Sequence, residues 1–216
     1  ALVRRWMDER PSPDELKKRA KRKVKAVLGD APLDKPIDEI EVTDALRLAG
    51  KKPTTAADVA AAKAAVLDYA IARPVDPWAD RALARLALHR DEPAAAIASL
   101  ERLNRQANRT GGWAYHLAKL HRRAGRMPAA LQAIEQALDR EPYNTRYREL
   151  AATIALQNSR PERALHHLEA MPILEPEAPI HHVRLAALHR RLGSDEKAAA
   201  HAEKAQKLKN SASGGS

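Results

Sequence analysis

The ten residues from Leu117 to Arg126, Leu-Ala-Lys-Leu-His-Arg-Arg-Ala-Gly-Arg, return as Leu185 to Ser194, Leu-Ala-Ala-Leu-His-Arg-Arg-Leu-Gly-Ser. Seven of the ten positions are identical, and the copies lie 68 residues apart, two steps of 34. A fixed period of that size constrains the fold more than any other feature, because each unit can bury its apolar face only against its neighbours. The step recurs outside the decapeptide. Ala96, Ala130, Ala164 and Ala198 stand in register, followed four residues on by Leu100, Ile134, Leu168 and Ala202. Pro74, Pro142 and Pro176 share another register, whose two remaining slots hold Asn108 and Asn210. Leu83-Ala84, Leu117-Ala118 and Leu185-Ala186 coincide, with Ala151-Ala152 as a weaker copy. Apolar residues make up 44% of the chain but aromatics only 3%, which favours close-packed helix pairs over a sheet core.

A 34-residue unit of small-apolar helix, turn, second helix with Ala-x3-apolar, then Pro resembles the tetratricopeptide repeat over about Ala45 to Lys209. The resemblance implies an all-α, right-handed α-solenoid of helix-turn-helix units. His121 and His189 stand where the family usually has Tyr or Leu, and Phe is absent, so the chain resembles a divergent, bacterial-type member.

Taken in order, Ala1 to Trp6 reads like the edge of a membrane span, apolar residues followed by paired arginines and Trp; the competing reading is a frayed terminus. Ser12, Pro13 and Glu15 predict a capped helix running to Leu28 and stopping at Gly29. Seven of the nine residues from Lys17 to Lys25 are basic: Lys17, Lys18, Arg19, Lys21, Arg22, Lys23 and Lys25. Leu16, Ala20, Val24, Val27 and Leu28 form an apolar stripe on the same helix. Residues 1–29 are thus expected to form a basic helix, either a solvated connector or a segment beside an anionic membrane. Nucleic-acid binding is disfavoured, since no aromatic side chains interleave the charges. Residues 30–42 read as a linker and 43–74 as a degenerate repeat, with a short helix over Thr43 to Ala49 and a longer one capped by Thr54 or Thr55 and running to Arg73. Full units are expected at about 76–108, 111–142, 144–176 and 177–210, with helices starting near Pro77, Pro93, Pro128 and Pro161 and a capping box from Ser159 to Glu162. Residues 211–216 look like an artificial tail and are left out of the fold.

The absence of Cys excludes thiolate chemistry, and no Gly-rich phosphate loop or nucleophile elbow is present. No run is long and apolar enough to span a bilayer. The nine histidines include the pairs His166-His167 and His181-His182, but none forms the i, i+4 couple of a metal-binding helix, so no metal or cofactor is expected. Asn108-Arg109-Thr110 matches a glycosylation sequon without other signs of secretion.

In the family this chain resembles, positions two, five, nine, twelve and thirteen of each unit line the concave face. With position one at Pro77, Gly111, Thr145 and Pro179, the groove would collect Trp78, Arg81, Arg85, Leu88 and His89, then Gly112, Tyr115, Lys119, Arg122 and Arg123. The third unit would add Arg146, Glu149, Thr153, Leu156 and Gln157, and the fourth Ile180, Val183, Ala187, Arg190 and Arg191. Eight of these are basic and one is acidic, which would focus positive potential on a ligand. Arginine adds bidentate recognition of carboxylate, and Trp78, Tyr115, Leu88 and Val183 supply apolar anchors. Arg81 and Arg85 replace the Lys and Asn with which some family members clamp an acidic chaperone tail, so that clamp is not expected.

The sequence therefore predicts a non-enzymatic scaffold taking an acidic, partly apolar segment of a protein partner. Its expected setting is a bacterial secretion or exopolysaccharide assembly on the cytoplasmic side of the inner membrane. The alternatives are anionic-membrane or nucleic-acid binding through Lys17–Lys25, or a regulatory domain of a larger enzyme. Self-association through the Ala-rich terminal repeat is a further expectation.

Overall fold

The computed structural model describes residues 11–29, 55–106 and 111–213. The expectations for Ala1 to Trp6, for the linker 30–42, for the helix over 43–49 and for the sequon at Asn108 lie outside these residues. The described residues are all-α and run as successive helix-turn-helix pairs. The helices are α1 (Pro13–Leu28), α2 (Ala56–Ala72), α3 (Pro77–His89), α4 (Pro93–Gln106), α5 (Gly112–Arg123) and α6 (Met127–Arg140), followed by α7 (Thr145–Gln157), α8 (Pro161–Glu169), α9 (Met171–Leu174), α10 (Pro179–Arg191) and α11 (Asp195–Ser213). The last of these runs three residues into the stretch expected to be a tail, where Gln206 donates to the Asn210 side chain and Ser211 returns its hydroxyl to the Lys207 carbonyl. Two compact units divide the chain, Ala1–Leu117 and Ala118–Ser216.

The period seen in the sequence is a packing period. Ala62, Ala96, Ala130, Ala164 and Ala198 are all buried, and so are Val66, Leu100, Ile134 and Leu168 one turn later; Ala202 is exposed. A methyl side chain at the first position lets adjoining helices approach closely, and the larger residue one turn on fills the space beside it.

The turn inside each repeat is equally periodic. Asp91, Gly125, Ser159 and Gly193, 34 apart, have positive φ of 54°, 72°, 54° and 73°. The next residue in each case, Glu92, Arg126, Arg160 or Ser194, donates its N–H to the carbonyl five residues back at 2.8 to 2.9 Å. The left-handed residue itself donates three residues back, completing a Schellman closure of each first helix. This corrects the expected capping box. Ser159 is spent on the left-handed turn, so α8 starts at Pro161 behind Arg160, with no side-chain cap.

In the first unit, the Ser12 hydroxyl accepts from Glu15 N–H while Glu15 accepts from Ser12 N–H, the expected reciprocal cap of α1. Thr55 and Asp58 do the same for α2. The apolar stripe of α1, Ala20, Val24, Val27 and Leu28, enters one core with Val59, Ala62, Val66 and Tyr69 of α2 and with Trp78, Ala82 and Leu86 of α3. The basic helix is thus built into the fold, and its packing partner α2 follows it only after residues 30–54.

Candidate binding groove

The first helices of successive repeats, α3, α5, α7 and α10, start at Pro77, Gly112, Thr145 and Pro179, within one residue of the expected register. The expected groove positions can therefore be followed one unit at a time.

In the first unit they are largely filled by the protein's own packing. Trp78, expected as an apolar anchor for a ligand, is only 4% exposed. Its ring packs edge-on against Tyr69 at 5.6 Å, and Lys17 lies 5.8 Å from its centroid. The Asp76 carboxylate organises this corner: it accepts from Trp78 N–H at 2.9 Å, from Lys17 Nζ at 2.6 Å, and from the Tyr69 hydroxyl. Burial pushes the Asp76 carboxyl up, but these donors outweigh it and hold the group down at about 2. Arg85 is likewise 4% exposed, and half-buried Arg81 stacks its guanidinium 5.5 Å from the Trp113 ring. Trp78, under Tyr69 and Lys17, and Arg85 are thus buried and not a ligand-facing lining. Tyr115 is half-buried.

The second unit keeps its groove open. Lys119 and Arg122 are half-buried and Arg123 and Arg146 exposed. Between α7 and α10 lies a cavity of about 350 Å³. Its floor is apolar, from Ala152, Leu156, Leu168, Ala187 and Leu188, and its rim carries Glu149, Thr153, Arg184 and Arg191. Glu149, the one acidic residue among the expected positions, is held by Arg184 Nη1 at 2.5 Å, which neutralises it and leaves Arg191 as the excess charge of the rim. Thr153 turns its hydroxyl back to the Glu149 carbonyl at 2.8 Å. Val183, Ala187, Arg190 and Arg191 are exposed along α10, so this helix ends in a cationic last turn.

Five of the nine lining residues, Glu149, Thr153, Leu156, Ala187 and Arg191, stand at expected positions. The reading missed Ala152, Leu168, Arg184 and Leu188. Arg184 had one usable signal, since it lies 35 residues after Glu149, one period plus one. A larger cavity of about 490 Å³ opens between second helices of the same unit, but its rim mixes Glu135, Asp139, Glu162, Arg148 and Arg163, and Arg163 is engaged by Glu135 at 2.9 Å. It has no single charge sign with which to select a ligand. Of the basic residues expected to meet anions, Lys18, Arg19, Lys21, Arg22, Lys23 and Lys25 are exposed on α1, while Lys17 is committed to Asp76.

A tetratricopeptide repeat family model matches residues 81–145, 115–172 and 149–213. No curated protein matches the chain in sequence. Among solved structures, a crystal structure of MamA is similar at 15% identity and a TM-score of 0.59, over 73% of this chain and 92% of that one. MamA from Desulfovibrio magneticus RS-1 is similar at 15% identity and a TM-score of 0.57, over 89% and 96%. YrrB, described as a TPR protein with an unusual peptide-binding site, is similar at 15% identity and a TM-score of 0.56, over 82% and 92%. At these identities the likeness is one of fold.

Proposed function

Because the chain belongs to the tetratricopeptide repeat family, we propose that it is a non-enzymatic interaction scaffold whose groove between α7 and α10 takes an acidic, partly apolar segment of a protein partner. The observation that carries this reading is the cavity of about 350 Å³, with an apolar floor, a neutralised Glu149 and an unbalanced Arg191 on its rim. A space of that size admits one or two apolar side chains. Arg191 and the adjoining Arg190 then meet carboxylates on the same segment. The helix pairs hold both features in place beforehand, so the ordering cost of binding falls mainly on the ligand. YrrB, similar in fold, is itself described as peptide-binding, which agrees with this use of the architecture.

Selection from a displayed library of random linear peptides tests the proposal. The chain should enrich sequences placing Asp or Glu beside Leu, Ile, Val or Phe. Ala187→Trp, a substitution at an exposed lining position, should fill the cavity and abolish the enrichment while leaving the fold intact. Enrichment of basic peptides, or an unchanged profile in Ala187→Trp, would refute it.

A further inference from the structure

The first unit carries a second surface, unrelated to the groove. The stripe Ala20, Val24, Val27 and Leu28 is buried in the core of the unit, so α1 has no apolar face left with which to enter a bilayer or cover a partner helix. One of its cations is drawn inward, Lys17 to Asp76 at 2.6 Å. Lys18, Arg19, Lys21 and Arg22 point away from the core and are exposed over somewhat more than one turn.

Beside them the unit exposes large apolar side chains in a row. Leu67 and Ile71 sit four apart on α2, and Val75 lies in the turn that follows; they are 44%, 79% and 83% exposed. Ile71 and Arg19 line the same cleft of about 600 Å³, together with Leu16 and Asp68. Arg19 and the exposed Ile71 are therefore side by side in one cleft.

We propose that this face seats the protein on an anionic lipid bilayer as a peripheral contact. Lys18, Arg19, Lys21 and Arg22 meet the headgroups, and Ile71 and Val75 dip into the boundary between headgroups and acyl chains. The aliphatic row is what separates a bilayer from a nucleic acid. Phosphodiester chains reward the cations alone, and residues 11–29 contain no aromatic, Asn or Gln side chain to stack on or read a base.

The test is co-sedimentation of the full chain with phosphatidylcholine vesicles, with and without about one-third phosphatidylglycerol, at two salt concentrations. The expected result is binding to the anionic vesicles only, weakened by salt. Combined reversal of Lys18→Glu, Arg19→Glu, Lys21→Glu and Arg22→Glu should reduce partitioning by about a hundredfold or more. Ile71→Ser with Val75→Ser, at exposed positions, should reduce it several-fold and leave the salt dependence in place. Ala187→Trp should bind vesicles like the wild type, which separates this surface from the groove. Equal binding to neutral vesicles, or indifference to the charge reversal, overturns the proposal. So does tighter binding to duplex DNA at the same ionic strength with no effect of the Ile71 and Val75 substitutions; that result assigns the face to nucleic acid.

Discussion

Four residues, Asp91, Gly125, Ser159 and Gly193, set the turn in the four full repeats by adopting a left-handed backbone. Glycine enters that region without steric cost, whereas other residues pay roughly 1 kcal/mol. A Cβ added at Gly125 would meet nothing within 4 Å, so Gly125→Ala isolates the backbone term and should lower stability by about 1 kcal/mol in urea denaturation. Ser159→Gly should raise it by about 0.5–1 kcal/mol by the same measurement. The sequence made half of this legible. Gly125 and Gly193 belong to the repeated decapeptide, but Asp91 and Ser159 hide the register, because short polar side chains tolerate the left-handed region. Ser159 also carries a Glu three residues later, the spacing of a capping box, and the turn geometry overrides that local signal.

At the scale of the element, one carboxylate adds a polar tie to the apolar packing that holds α1. Asp76 caps α3 and accepts from Lys17 and Tyr69, so Asp76→Ala removes the cap, one long-range partner and one partner on the preceding helix at once. It should cost about 2 kcal/mol and speed amide exchange in α1, read by hydrogen exchange. Since the Asp76 carboxyl is held at about 2 against an ordinary 3.8, its contribution is complete above pH 3.8 and is lost as the pH falls towards 2. Histidines act in a higher window in the second unit. Burial, with the charges of His166, Arg148 and Arg163, lowers His167 from 6.5 to about 4, and burial also lowers His182 and His201, whose Nδ1 atoms lie 2.9 Å apart. The unfolded chain therefore binds protons that the folded unit refuses. Stability should be greatest above pH 6.5 and decline as the pH falls from 6.5 to about 4, and His167→Gln should flatten that decline in thermal unfolding followed across pH. The amphipathic stripe and cap of α1 were readable from sequence. Its partner was not, because α1 and α2 are separated by residues 30–54 and no repeat register joins them.

At the scale of the whole molecule, the 34-residue period identified the fold and placed the starts of α3, α5, α7 and α10 to within one residue. It could not say which groove positions stay open. Exposure depends on what neighbouring helices place over a residue: Tyr69 and Lys17 close over Trp78, whereas Val183 and Arg191 are exposed to solvent. The most direct measurement is fluorescence anisotropy with a labelled nonapeptide of alternating Glu and Leu, titrated with wild type, Ala187→Trp and Arg191→Glu, and repeated with a Lys and Leu counterpart. The account predicts that wild type binds the acidic probe and not the basic one, that Ala187→Trp loses the interaction, and that Arg191→Glu weakens it by about tenfold. Equal binding by all three proteins, or preference for the basic probe, would contradict it.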